Sequence, residues 1–171
     1  MPYPEAVVTP MRKELTRIGV DELRTAAEVE AVLGTEPGGT TLLVINSVCG
    51  CAAANARPAV TLAQQGASQP DRSVTVFAGQ DLDATARARE YLPGVPPSSP
   101  FIALFKDGTP VFVLERRNIE GRSASAIASD LVNAYDAFCG PSQTNGQAAG
   151  NGESRNEASA EPDAGTFRSI L

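Results

Sequence analysis

Cys49 and Cys51, separated by Gly50, are the side chains of this sequence best suited to chemistry. They follow an apolar run, Thr41 to Asn46 (TLLVIN), and open a stretch from about Cys49 to Gln65 that reads as helix. A cysteine at a helix start meets unpaired backbone N–H groups and the positive end of the helix dipole, and both favour an anion. The thiolate is that anion, and it is the form of cysteine that attacks disulfides. Each pKa unit removed from a thiol represents about 1.4 kcal/mol of preference for the thiolate. Side chains two apart on a helix point roughly 200° from one another, whereas a disulfide needs its Cβ atoms about 3.8 Å apart. Closing Cys49 to Cys51 therefore requires local unwinding, which Gly50 eases. A strained ring is easily reduced, so a mixed disulfide on one cysteine competes well with ring closure. That chemistry suits isomerisation or the transfer of a small-thiol cap.

Two other uses of the pair stay open. Both cysteines can be inert packing residues at a turn. Alternatively Cys49, Cys51 and Cys139 can supply three thiolates to a metal, with a carboxylate as fourth ligand. Structural zinc sites space thiolates as Cys-x₂₋₄-Cys, and no second pair exists. Three cysteines are a poor disulfide framework, and a chain of 171 residues that is 42% hydrophobic buries a core without one. The absence of histidine excludes Ser-His-Asp and Cys-His sites and imidazole ligands, leaving the helix end to supply most of the activation. A net charge of −6, no tryptophan and 5% aromatics argue against nucleic-acid binding. No apolar run approaches the roughly 20 residues of a membrane span. Met1-Pro2-Tyr3-Pro4-Glu5 lacks a basic region followed by an apolar stretch. Cytoplasm is the expected location, where cysteines stay reduced unless catalytic, sensing or metal-bound.

The elements that must position these residues alternate. Residues 1–9 read as a flexible N-terminus, 10–139 as one domain, and the Gly/Ser/Asn/Gln-rich 140–171 as a disordered tail. Helices are expected at 11–18 and 21–33, the second capped by Asp21, followed by a break at Gly34 to Gly39. Strands are expected at Thr41–Asn46, Ser73–Ala78, Phe101–Lys106 and Val111–Glu115. Asp107-Gly108 signals a tight turn that makes the last two antiparallel. Helices fill Asp81 to Leu92, capped by Asp81 or Asp83, and Gly121 to Phe138. Pro58 should kink the cysteine helix, and Arg57 is a candidate electropositive neighbour of the thiols. After the N-terminal helices the order is βαβαββα, an α/β mixed four-stranded sheet with helices on both faces, the thioredoxin-like layout. In that layout the loop before the third strand lies beside the cysteines, and a cis Ser99–Pro100 bond would expose the Ser99 backbone to an extended substrate. Only about 5–6% of X–Pro bonds are cis, so it is the fold analogy that asks for one here. Arg116-Arg117, after the fourth strand, can attract an acidic small thiol or stand as a solvated pair.

Four segments carry a resemblance: NSVCGCAAANARPAV (46–60), VFAGQD with Ala84-Thr85 (76–85), PPSSPFIALFKDG (96–108) and ERRNIEGR (115–122). Across about residues 10–139 the chain resembles the bacilliredoxin family, and the tail 140–171 exceeds the usual family length. The resemblance implies a thioredoxin-like fold and removal of bacillithiol from proteins that carry it as a mixed disulfide, or a more general disulfide isomerase activity. By position, Cys49 would be the attacking thiol that accepts bacillithiol, Cys51 the resolving thiol, and Pro100 the cis-proline beside the site. Gly50, Ser99, Pro100 and Arg57 are the candidate substrate-binding residues. No bound cofactor is expected; bacillithiol is the expected low-molecular-weight co-substrate, and bacillithiol-capped or disulfide-containing proteins are the expected partners.

Overall fold

A computed structural model describes residues 2–34 and 38–140. Its centre is the apolar run expected to be covered on both faces: β2, Thr40–Asn46, is buried at every position. β3, Arg72–Phe77, runs parallel to it on one side, and β4, Phe101–Lys106, antiparallel on the other. β4 turns through Asp107 and Gly108, both at positive φ (49° and 77°), into β5, Thr109–Leu114. This is the Asp-Gly hairpin turn that the sequence signals. Pro110 lies on β5, the sheet edge, next to a register irregularity between Leu104 and Phe105, as suits a residue without an N–H. Among the described residues the sheet has five strands rather than four. Asp21–Glu22 forms β1, parallel to β3, giving the order β1-β3-β2-β4-β5. The other four, β3-β2-β4-β5, keep the order and direction of the thioredoxin-like layout.

Alternation along β2 and β4 builds two cores. Leu42, Val44, Ile102 and Leu104 face one side, where α3, Arg57–Ala63, and α6, Ala124–Phe138, pack. Leu43, Ile45, Phe101, Ala103 and Phe105 face the other, against α2, Ala26–Val29, and α4, Leu82–Glu90. The buried positions of α6 include Ile127, Leu131 and Tyr135, spaced by four, and the Ser123 hydroxyl caps it by accepting from Ala126 N.

Several boundaries move for physical reasons. The first helix, α1, spans Glu5–Thr16, so half of the stretch expected to be flexible is helical. Its buried face of Val8, Arg12 and Leu15 docks it, and Tyr3 exchanges hydrogen bonds with the Gln80 side chain. Asp21 lies in β1 and caps nothing; Thr25 caps α2 in a reciprocal capping box with Glu28. α2 then widens into a π-helical turn at Glu30–Gly34. Asp81 sits at the start of α4 but makes no side-chain cap, because its carboxylate is held by Arg12 at 2.7 and 2.9 Å. The expected helix from Gly121 is preceded by a separate turn, α5, Arg116–Ile119, with the chain reversing between α5 and α6 through Gly121 at positive φ. Beyond Gly140 the expected tail lies outside the described residues.

Candidate active site

Three backbone ends converge at one end of the central strands: the end of β2, the end of β3 and the beginning of β4, where Ile45 pairs with Phe101. Asn46 closes β2, and its Oδ1 accepts the N–H of Ser47 at 2.8 Å, turning the chain out of the sheet. The helix starts at Gly50. Cys49 is its cap residue: the Cys49 carbonyl accepts from Ala52 N (3.1 Å) and Ala53 N (3.2 Å). The expected helix start at the cysteines is therefore present. Residues 52–56 (AAANA) form a π-helical turn before α3. Pro58 would otherwise direct its ring at the carbonyl four residues back, and the widened turn accommodates it. The expected kink takes this form.

The Cys49 Sγ receives the Ser47 hydroxyl at 3.2 Å and the N–H of Ala52 at 3.4 Å, and it lies 2.7 Å from the Cys51 Sγ. Both thiols are free and half-buried. Burial opposes ionisation of Cys49, but the Cys51 thiol, the Ser47 hydroxyl and the backbone N–H groups together outweigh it and bring Cys49 below the ordinary thiol range. For Cys51 burial again pushes the thiol up, and the hydrogen bond and charge of Cys49 push the same way. Arg116 pulls against them. The pair thus favours ionisation at Cys49 over Cys51, with the two sulfurs sharing a hydrogen bond. Gly50 faces open space: a Cβ there would meet nothing within 4 Å.

Ser99–Pro100 is a cis bond, with Pro100 buried and Ser99 half-buried at the head of β4. Arg57 is placed differently from an exposed cation facing the thiols. Its head is buried behind the turn, 2% exposed. Nη1 donates to Asn46 Oδ1 (3.1 Å) and to the Ser47 carbonyl (3.0 Å), while Nε donates to Glu14 Oε2 (2.7 Å). Arg57 therefore reaches the sulfurs only through Asn46 and Ser47. Cys139 ends α6 beside Thr40, at the start of β2. Cys49 follows the other end of that strand, about 20 Å away at 3.3 Å per residue. The three thiolates of the metal alternative do not meet, and no cluster of three or more His, Cys, Asp or Glu able to hold a metal occurs among the described residues.

Ser47, Asn46 and Glu14 went unnoticed in the sequence as parts of the site. A hydroxyl two residues ahead of a cysteine at a helix start is a visible signal for Ser47. Glu14 lies 43 positions from Arg57, and no local pattern announces the pairing.

The model of the family described as disulphide isomerase matches residues 3–139. A bacilliredoxin of Salinibacter ruber is 56% identical over 171 residues, covering 99% of each chain. A bacilliredoxin of Koribacter versatilis is 52% identical over 139 residues, 81% of this chain and 94% of that one. Among solved structures, the thioredoxin of Fasciola hepatica is 17% identical at a TM-score of 0.46, covering 68% of this chain and 99% of its own. The fold assignment rests on strand order and direction, not on that likeness. With a family model spanning the whole sheet and relatives more than half identical, the chain belongs to the bacilliredoxin family of thiol–disulfide oxidoreductases.

Proposed function

We propose that this chain removes bacillithiol from client proteins that carry it as a mixed disulfide, with Cys49 as the attacking sulfur. The Cys49 thiolate forms a bond to the sulfur of the cap. The client–cap S–S bond breaks, and its electron pair leaves on the client sulfur, which takes a proton from solvent. Cys51 then attacks the capped Cys49 and gives its proton to the departing small thiol, or a second small thiol releases the cap directly. Ser99, ahead of the buried cis-proline, offers backbone to an extended client segment. Gly50 leaves the approach to both sulfurs open and lets the turn unwind for ring closure. Arg57 holds the turn from behind through Asn46 and Ser47. Such exchange belongs in a reducing compartment, the cytoplasm. The domain of residues 10–139 carries the activity.

The observation that carries this reading is the Cys49 sulfur at a helix start, receiving the Ser47 hydroxyl, the Ala52 N–H and the Cys51 thiol together. The test uses a bacillithiol-capped client. Cys51→Ser should accumulate a bacillithiol adduct on Cys49, visible by mass spectrometry, and Cys49→Ser should release no cap. Full cap removal by Cys49→Ser would overturn the reading. Rescue of a scrambled-disulfide substrate without any cap removal would favour a general disulfide isomerase instead.

A further inference from the structure

Residues 116 and 117 are two exposed arginines on a chain whose net charge is −6. They stand on α5, which is fixed on both flanks of the cysteine turn. Arg116 N donates to Ser98 Oγ at 3.3 Å, on the loop that carries Ser99–Pro100. On the other flank Asn55, in the π-helical turn after Cys51, donates through Nδ2 to the Arg122 carbonyl just beyond α5. Ile119, fully buried, anchors α5 in the core shared with Ala56 and Ala59. The Arg116 head is thereby held within electrostatic range of both sulfurs. Among the described residues its only ion pair is with Glu120 at 3.3 Å, and the two side chains are 47% and 59% exposed. A solvated pair of this kind contributes little. A ligand carboxylate that matches the guanidinium fork can displace Glu120.

We propose that Arg116 recognises carboxylates on the small-thiol half of a mixed disulfide, selecting anionic caps and fixing which of the two sulfurs Cys49 attacks. The inference rests on the reading that Cys49 accepts the cap. With the cap held at Arg116, its sulfur is the one presented to the Cys49 thiolate. A Cys49–cap disulfide forms, the client–cap bond breaks, and the client sulfur leaves with the electron pair. Attack on the other sulfur would instead leave the client on Cys49 and expel the cap thiolate.

The test uses the full-length Cys51→Ser protein, with and without R116Q or R116K. One peptide thiol is capped either by glutathione, which carries two carboxylates, or by uncharged 2-mercaptoethanol. Rates and the Cys49 adduct are read by mass spectrometry. R116Q should lower the glutathione-to-mercaptoethanol rate ratio about fivefold, the effect of losing about 1 kcal/mol, and should move the glutathione-substrate adduct from cap toward peptide. R116K should keep most of the ratio. Raising salt to about 0.5 M should depress the ratio of the R116-containing protein in the same direction. An unchanged ratio and adduct in R116Q would overturn the assignment of Arg116 alone. A Cys49 that reacts with neither substrate would overturn this inference, and one that also fails on the same peptide capped by bacillithiol would overturn the underlying reading.

Discussion

Cys49 is drawn below the ordinary thiol range without a histidine because three ordinary groups converge on its sulfur. Of these, the Ser47 hydroxyl is the one that a single substitution removes cleanly, since its Oγ lies 3.2 Å from the sulfur and the backbone N–H groups stay in place. Ser47→Ala should raise the Cys49 pKa and slow its alkylation at pH 7 about fivefold, the consequence of losing about 1 kcal/mol of thiolate stabilisation. At pH 10, where either protein carries a thiolate, the difference should disappear. A rate gap that persists at pH 10 would mean that Ser47 acts on access rather than on charge. Cys51 has the opposite assignment: burial and the neighbouring thiolate hold its proton, which suits a group that donates first and attacks second.

At the scale of elements, α1 acts as a brace for the cysteine turn. Glu14 on α1 holds Arg57 on α3, and Arg57 holds the Asn46 side chain and the Ser47 carbonyl. Arg12, two residues earlier, is 5% exposed, lies over the ring of Phe77 at the end of β3 and binds Asp81 at the start of α4. Two arginine clamps thus tie one helix to the ends of both central parallel strands. Arg57→Ala should lower stability by about 2–3 kcal/mol, read as an earlier urea midpoint, because it leaves the Ser47 carbonyl and one carboxylate without their partner. The figure stays at the lower end of the range for buried pairs because Glu14 is 38% exposed. Arg57→Lys should fall between the two, keeping charge but losing the fork. An unchanged midpoint in Arg57→Ala would show that the brace is not needed. These clamps also explain what the sequence concealed. Strands β2 to β5 announce themselves by apolar runs and an Asp-Gly turn. β1 has two residues, too few for any period. The helical start at Glu5 depends on Arg12 reaching Asp81, 69 positions away. The π-helical turn answers to Pro58, which marks a disturbance but not its form.

Across the whole molecule, one end of the central strands gathers what exchange chemistry needs: a helix start, a thiol pair, a cis-proline and an arginine. None of these is adjacent to all the others in sequence. The Cys-Gly-Cys pair was legible because its chemistry is local. The placement of Arg57 was not legible because adjacency along the helix does not reveal which way a side chain turns. No helix among the described residues is long and apolar enough to cross a membrane. The account as a whole depends on which sulfur is ionised, and this can be measured directly. Brief iodoacetamide pulses across pH 5 to 10, with each adduct located by mass spectrometry, titrate the cysteines individually. Cys49 should be modified first and should titrate below the ordinary thiol value of about 8.5, with Cys51 and Cys139 above it. A Cys49 that titrates at or above that value, or a Cys51 modified first at neutral pH, would contradict the account.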